Sequence, residues 1–433
     1  MSGYRRVAVL VGGLLAGVAL VAPPAAAAPR AAAEPSAAAE PSAPVRRPPF
    51  LACPVTAAPS PLPQPRPAPS RDLPRAVVGG EGLATAGLTL PRGVAPPPAA
   101  TLTARSWLVA DLDTGAVLGA CGPHEPGAPA SVQKLLLAAT VLPKLDPAQQ
   151  VEITREDLNF ERGSSAVGLL EGGHYSVETL WLGLFLNSGN DAANVLARLG
   201  GGPAGVPGTI EAMNAEARRI GAKDTHAVTP SGLDGPGQAT TAYDLALIAR
   251  ACFAREDFRR YDSTQRAQIP PQPPKDPRGY QIQNDNQLLF AYPGAIGGKA
   301  GFTDVARHTY VGAAERNGRR LVVTLMGAET RPARGWQQGA TLLDWGFSVP
   351  AGATVGRLVA PGETQRAPAT PTGTGIAAPG GPLRQAMRRG WPSTALVLVG
   401  GVSAGALSVP VLLLLAGRRR RAVRSARRGR RRA

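Results

Sequence analysis

Apolar positions along the chain fall into blocks of different period, and those blocks set the expected architecture. Ser106–Asp111 (SWLVAD) and residues 116–120 are apolar runs flanking Asp113-Thr114-Gly115, the pattern of a hairpin with glycine at its turn. From Ser131, the stretch SVQKLLLAATVL places Leu and Val on a helical repeat with no breaker before Pro143. Residues 176–186 and 191–199 predict two short helices interrupted at Ser188-Gly189-Asn190, and residues 209–220 predict a helix that stops at Gly221. Thr241-Ala242-Tyr243-Asp244 predicts a capping box that opens a helix through Ala254. Residues 309–315 and 319–326 flank Asn317-Gly318, a strong hairpin signal, and residues 337–345 predict a closing helix. Strands at both ends with helices between them predict a sheet whose first and last strands meet, backed by a helical cluster. The expected fold class is α/β in the loose (α+β) sense, with an antiparallel sheet.

Outside this patterned block, taken as 101–350, the periodicity disappears. Residues 29–100 are Ala/Pro-rich with scattered Arg, and 351–392 loosen again into Pro and Gly. Such stretches bury too little apolar surface to offset the entropy of ordering, so both are expected to be linkers. Beyond them lie two uncharged runs. Arg5 and Arg6, the run 7–22 and small residues up to Ala28 follow the order of a secretory signal peptide, expected over 1–28. Residues 393–416 are long enough to cross a bilayer as one helix, and an Arg-rich tail, 417–433, follows at once. Arginines beside a span favour the cytoplasmic side. The expectation is therefore a single-pass cell-membrane protein with its body extracellular and its C-terminus cytoplasmic.

The charge distribution excludes a further class. Ten arginines in the last sixteen residues account for most of the +17 formal charge, leaving +7 for the rest of the chain. A nucleic-acid-binding body should instead spread its charge over the fold, so no nucleic-acid partner is expected. His124, His174, His226 and His308 show no ligand spacing, so a zinc peptidase is not expected. Of three cysteines, Cys121 and Cys252 fall inside the block and are able to pair outside the cytoplasm, with Cys53 left in the linker. Spacing alone does not decide that pairing. Trp107 and Trp345 are expected in the core.

Three short motifs carry the candidate chemistry. Ser131 and Lys134 are one helical turn apart, so the amine can reach the hydroxyl. A serine hydroxyl is a weak nucleophile without a base in contact, and a buried lysine beside other cations can lose its proton near neutral pH. Ser188 and Asn190 lie between two apolar helices, where a hydroxyl can relay a proton and an amide can hold Lys134 or a peptide. Lys299-Ala300-Gly301-Phe302-Thr303 precedes the last hairpin. There a fixed lysine can bind a carboxylate, a glycine lets a substrate backbone approach, and a backbone N–H can face an oxyanion.

In this order the motifs resemble the Ser-x-x-Lys, Ser-x-Asn, Lys-Thr-Gly set of penicillin-binding proteins and serine β-lactamases. Thr229-Pro230-Ser231-Gly232-Leu233-Asp234, followed by 239–244 (ATTAYD), narrows the likeness to the low-molecular-mass penicillin-binding proteins, the serine D-alanyl-D-alanine carboxypeptidases. The resemblance covers about residues 101–350. It implies a β-lactamase/transpeptidase-like fold, peptidoglycan stem peptides and β-lactams as partners, and no cofactor. It also implies Ser131 as nucleophile, Lys134 as base, and Ser188 with Asn190 as a second wall. Lys299, Gly301, Phe302 and Thr303 would bind substrate, with the N–H groups of Ser131 and Phe302 as oxyanion hole. Two departures stand out. Ala300 replaces the usual Thr, a role Thr303 is a candidate to cover, and Arg307 is a candidate for added positive charge near Lys299. A β-lactamase remains an alternative, although the usual Glu-x-x-Leu-Asn segment is not visible after Asn190. A site that binds wall peptide or penicillin and turns over poorly is another.

Overall fold

The computed structural model describes residues 50–56 and 78–365. Its first strands are β1 (Leu88–Thr89) and the hairpin β2 (Ser106–Asp111) and β3 (Ala116–Cys121). A 3₁₀ turn, Ala130–Gln133, leads into α1 (Lys134–Val141). A small ribbon of β4 (Gln150–Glu152) and β5 (His174–Ser176) precedes the helices α2 (Val177–Leu186), α3 (Asn190–Gly200), α4 (Gly205–Ile220), α5 (Ala242–Phe253) and α6 (Glu256–Ser263). A second ribbon, β6 (Arg266–Ile269) and β7 (Tyr280–Gln283), is followed by α7 (Leu288–Ala291). The long strands β8 (Ala295–Thr303), β9 (Arg307–Arg316) and β10 (Arg319–Ala328), then α8 (Gly335–Ser348) and β11 (Gly356–Arg357), complete the body.

The main sheet runs β1-β3-β2-β10-β9-β8, with β11 added beside β3, and all pairings are antiparallel. β2 pairs β10 from Leu321↔Asp111 to Met326↔Ser106, so the first hairpin meets the last as the pattern predicts. Helices cover both faces. Leu135, Leu136 and Leu137 are all fully buried, which makes α1 the centre of the helical cluster rather than an amphipathic surface helix. On the other face α8 packs Trp345 edge-on against Trp107 at 6.0 Å. The helix starts follow their caps: Ser176 Oγ accepts from Thr179 N, and Thr241 Oγ1 accepts from Asp244 N. The capping box at Thr241 is only half formed, because the Asp244 carboxylate accepts from Asp224 N and Thr225 Oγ1 instead.

Composition misjudged both linkers where they adjoin the block. Of 29–100, residues 50–56 and 78–100 fold onto the sheet: β1 pairs β3, Leu83 is fully buried, and Cys53 forms a disulfide with Cys121. Of 351–392, β11 pairs β3, and Leu358 and Val359 are buried. A Pro-rich composition argues against independent structure, but a few leucines and valines suffice to dock on an open sheet edge. The cysteine pairing within the block is likewise corrected. Cys252 is a free, buried thiol that donates to Leu135 O at 3.2 Å. The signal peptide (1–28), the membrane span (393–416) and the Arg-rich tail (417–433) lie outside the described residues, as do 57–77 and 366–392. Among the described residues no helix is long and apolar enough to cross a membrane.

Candidate active site

The nucleophile candidate sits where a 3₁₀ turn becomes a helix. Ser131 lies in the turn and Lys134 is the first residue of α1; at three residues per turn, positions i and i+3 eclipse, which aims the amine at the hydroxyl. Two contacts from the sheet hold this turn. Thr309 Oγ1, on β9, donates to Pro129 O at 2.7 Å. Gly301, on β8, is close enough that a β-carbon there would meet Ser131 N at 2.7 Å and Thr309 Oγ1 at 2.5 Å. Only glycine lets the strand lie against the start of the turn. Ala130 is held at φ +48° and Ser188 at φ +57°, sparsely populated conformations for residues with side chains, and both border the site.

Lys134 is fully buried. Its Nζ is 2.7 Å from Asn190 Oδ1, 2.9 Å from Ser231 O and 2.9 Å from Ser131 Oγ. Two of these partners can only accept, whereas the serine hydroxyl can also donate. A neutral amine therefore gives its two protons to the carbonyls and turns its lone pair toward Ser131. Burial, and then the like charge of Lys299, push the amine well below the usual lysine range, with Asp191 opposing them.

A cavity of about 300 Å³ opens above this pair, lined by Ser131, Ser188, Asn190, Lys299, Gly301, Phe302 and Thr303 among others. The structure thus brings together every site residue the motifs named. Ser188 Oγ is buried and has no hydrogen-bond partner among the described residues. Asn190 Nδ2 donates to Ser164 Oγ at 2.9 Å, which fixes the amide so that its oxygen faces Lys134. Lys299 is buried, with Nζ donating to Ala300 O at 2.8 Å. Burial pulls its amine down to about 8, opposed by Asp285 and Asp262.

The motifs missed several neighbours. Ser164 and Ser165 come from a loop strapped to the site by Asp191, whose carboxylate accepts from Val167 N, Gly168 N and Leu169 N. Ser231 contributes a carbonyl, and Asp285 and His308 line the cavity. Asp191 follows Asn190 directly and was a usable signal. The others arrive only through tertiary folding. A second cavity, about 540 Å³, shares Asp285, Ala300 and His308 with the first and is also lined by Arg331 and Arg334. Among the described residues no His/Cys/Asp/Glu cluster suited to a metal is found.

Two expectations are corrected. Thr303 does not offer a free hydroxyl in place of the missing threonine: its Oγ1 donates to Asp234 Oδ1 at 2.9 Å and accepts from Ala306 N. Arg307 adds no free charge beside Lys299, because its guanidinium pairs with Glu329 at 3.1 Å.

A family model described as D-alanyl-D-alanine carboxypeptidase matches residues 93–330. D-alanyl-D-alanine carboxypeptidase DacB2 of Mycobacterium tuberculosis is 45% identical over 260 residues, 59% of this chain and 86% of that protein. DacD of Escherichia coli K12 is 35% identical over 254 residues, 56% of this chain and 63% of that protein. A crystal structure of a D-alanyl-D-alanine carboxypeptidase from M. tuberculosis H37Rv is similar with a TM-score of 0.58 and 43% identity, covering 62% of this chain and all of that one. The Streptomyces K15 DD-transpeptidase gives 0.55 and 28%, covering 57% and 98%. The matched region contains every residue that lines the Ser131 cavity, and this chain belongs to the D-alanyl-D-alanine carboxypeptidase family, peptidase S11.

Proposed function

We propose that this carboxypeptidase removes the terminal D-alanine of peptidoglycan stem peptides through an acyl-enzyme on Ser131, and that β-lactams acylate the same serine. Neutral Lys134 takes the Ser131 proton as Oγ attacks the penultimate D-alanine carbonyl carbon. The N–H groups of Ser131 and Phe302 receive the developing oxyanion, a role supported by the packing of Gly301 against Ser131 N. The tetrahedral adduct collapses, the C–N bond breaks, and the amine of the leaving D-alanine takes up a proton delivered through Ser188, whose hydroxyl is otherwise unpartnered. Water then hydrolyses the ester, with Lys134 again as base. Lys299 binds the substrate's terminal carboxylate, and Arg331 and Arg334 add positive charge in the adjoining cavity.

The observation that carries the proposal is the Lys134 amine held by two obligate acceptors with its third direction on Ser131. A second reading, slow turnover after acylation, is favoured by Ala300 together with the engaged Thr303 hydroxyl. Incubation of the protein with a D-Ala-D-Ala peptide, and separately with a fluorescent penicillin, tests both. Released D-alanine supports the carboxypeptidase, stable labelling without D-alanine supports the slow site, and rapid penicillin turnover points to a β-lactamase. The body is proposed to stand outside the cell, tethered by residues 393–416; the Cys53–Cys121 disulfide suits that oxidising side.

A further inference from the structure

We infer that Asp262 is a positioning residue for Lys299: its carboxylate, buried behind β8, holds the Lys299 amine in the charged form that receives the substrate carboxylate. The inference rests on the carboxylate-binding role proposed above for Lys299. Asp262 lies near the end of α6, does not line the cavity, and is fully buried. Its Oδ2 accepts the Gly298 N–H at 2.6 Å, at the residue before Lys299, and its Oδ1 has no hydrogen-bond partner among the described residues. No Lys or Arg forms a direct ion pair with it among the described residues.

A lone buried carboxylate is costly, and an apolar or amide side chain would remove the cost. The strand is nonetheless built around it. At Gly297, held at φ +145°, a β-carbon would come within 2.1 Å of Asp262 Oδ2, so any other residue would displace either the strand or the carboxylate. Asn284 Nδ2 ties down the end of α6 by donating to Asp262 O and Thr264 O.

The charges of Asp285, from the turn before α7, and Asp262, from α6, act on Lys299, whose own charge acts on Lys134 of α1; Asp285 and His308 of β9 line the cavity with it. Burial lowers His308 below its usual value, which favours its neutral form, and Arg307 is committed to Glu329. Asp262 and Asp285 are therefore the negative charges that oppose the burial of Lys299. The two differ in position. Asp285 lines the cavity, where an arriving substrate changes its surroundings, whereas Asp262 stays sealed behind the strand. Burial raises Asp262 to about 7, with the Gly298 N–H and Lys299 opposing, so its charge is present on the alkaline side, where Lys299 begins to lose its own near 8.

The test is Asp262→Asn in the full-length protein, with kcat/KM for a D-Ala-D-Ala peptide followed across pH and active sites counted by stoichiometric penicillin labelling. Asparagine keeps the shape and can still accept the Gly298 N–H, but carries no charge. Lys299 then deprotonates more readily, so the alkaline limb near pH 8 should move acidward by about one unit. At pH well above that limb this is roughly a tenfold loss, carried by KM rather than kcat, with values on the acid limb within about twofold. Asp262→Ser, also uncharged, should shift the limb the same way and serves where the amide variant does not fold. Asp262→Glu should restore it. A limb that stays in place, or a uniform loss at every pH, overturns the inference. Lys299→Gln separates the two ideas: if it leaves KM unchanged, the carboxylate-binding role itself fails. If it raises KM while Asp262→Asn leaves the limb in place, only the role of Asp262 fails.

Discussion

Two buried lysines share one cleft and are prepared for opposite tasks. Lys134 and Lys299 are both all but inaccessible, and burial alone lowers both amines. What separates them is the company each keeps. Lys134 has carbonyl acceptors, a hydroxyl and a neighbouring cation, a set that suits a neutral base. Lys299 has two carboxylates facing it, a set that keeps a cation. Each also shapes the other, since the charge on Lys299 is one reason Lys134 gives up its proton. Desolvation supplies the pressure, and specific neighbours decide which lysine yields to it.

The largest break in this comparison removes the atom that Lys134 is proposed to serve. Ser131→Ala should abolish covalent penicillin labelling, read as the absence of a mass increment, while the thermal unfolding transition stays near its original position. Labelling that persists would move the nucleophile elsewhere. Lys134→Arg comes next. Arginine keeps a cation but cannot deprotonate, so acylation should slow by roughly 10³-fold, measured by stopped-flow labelling at neutral pH. Lys299→Gln should instead act on binding. An uncompensated substrate carboxylate should raise KM by about thirtyfold, with kcat changed far less.

That division of labour was only half legible in the sequence. The serine, both lysines, Ser188 and Asn190 stood out because each sits in a short motif: Ser131, Lys134, Ser188 and Asn190 at a turn or helix start, and Lys299 on the strand before the last hairpin. Both hairpins were legible from Asp113-Thr114-Gly115 and Asn317-Gly318, and α1 from its run of leucines. The charges that tell the lysines apart were not. Asp262 lies 37 residues before Lys299, and only the pairing of β8 beside α6 joins them through Gly298. The Ser231 carbonyl carries no side-chain signal at all. The docked segments around Cys53 and Val359 were hidden because composition averages over windows, whereas a handful of buried residues is enough to add a strand at an edge.

Ala300 offers the finest adjustment of the comparison, on the side of Lys299. It is exposed and lines both cavities, so a side chain added there enters the space next to the lysine rather than the core. Threonine is well suited to a strand, and its hydroxyl would stand beside the amine proposed to hold the substrate carboxylate. Thr303 cannot supply that donor while its proton is committed to Asp234. One added hydrogen bond to a charged group should raise kcat/KM for a D-Ala-D-Ala peptide by up to about tenfold in Ala300→Thr. The gain should appear mainly in KM, because the bond is made to a group that is already ionised before the reaction begins. It should also depend on Lys299: in the Lys299→Gln background the same threonine should help less, since the carboxylate is no longer drawn to that position. Equal gains in both backgrounds would mean that the hydroxyl and the amine act on different parts of the substrate, and the cation side of the cleft would then have to be drawn further from Lys299.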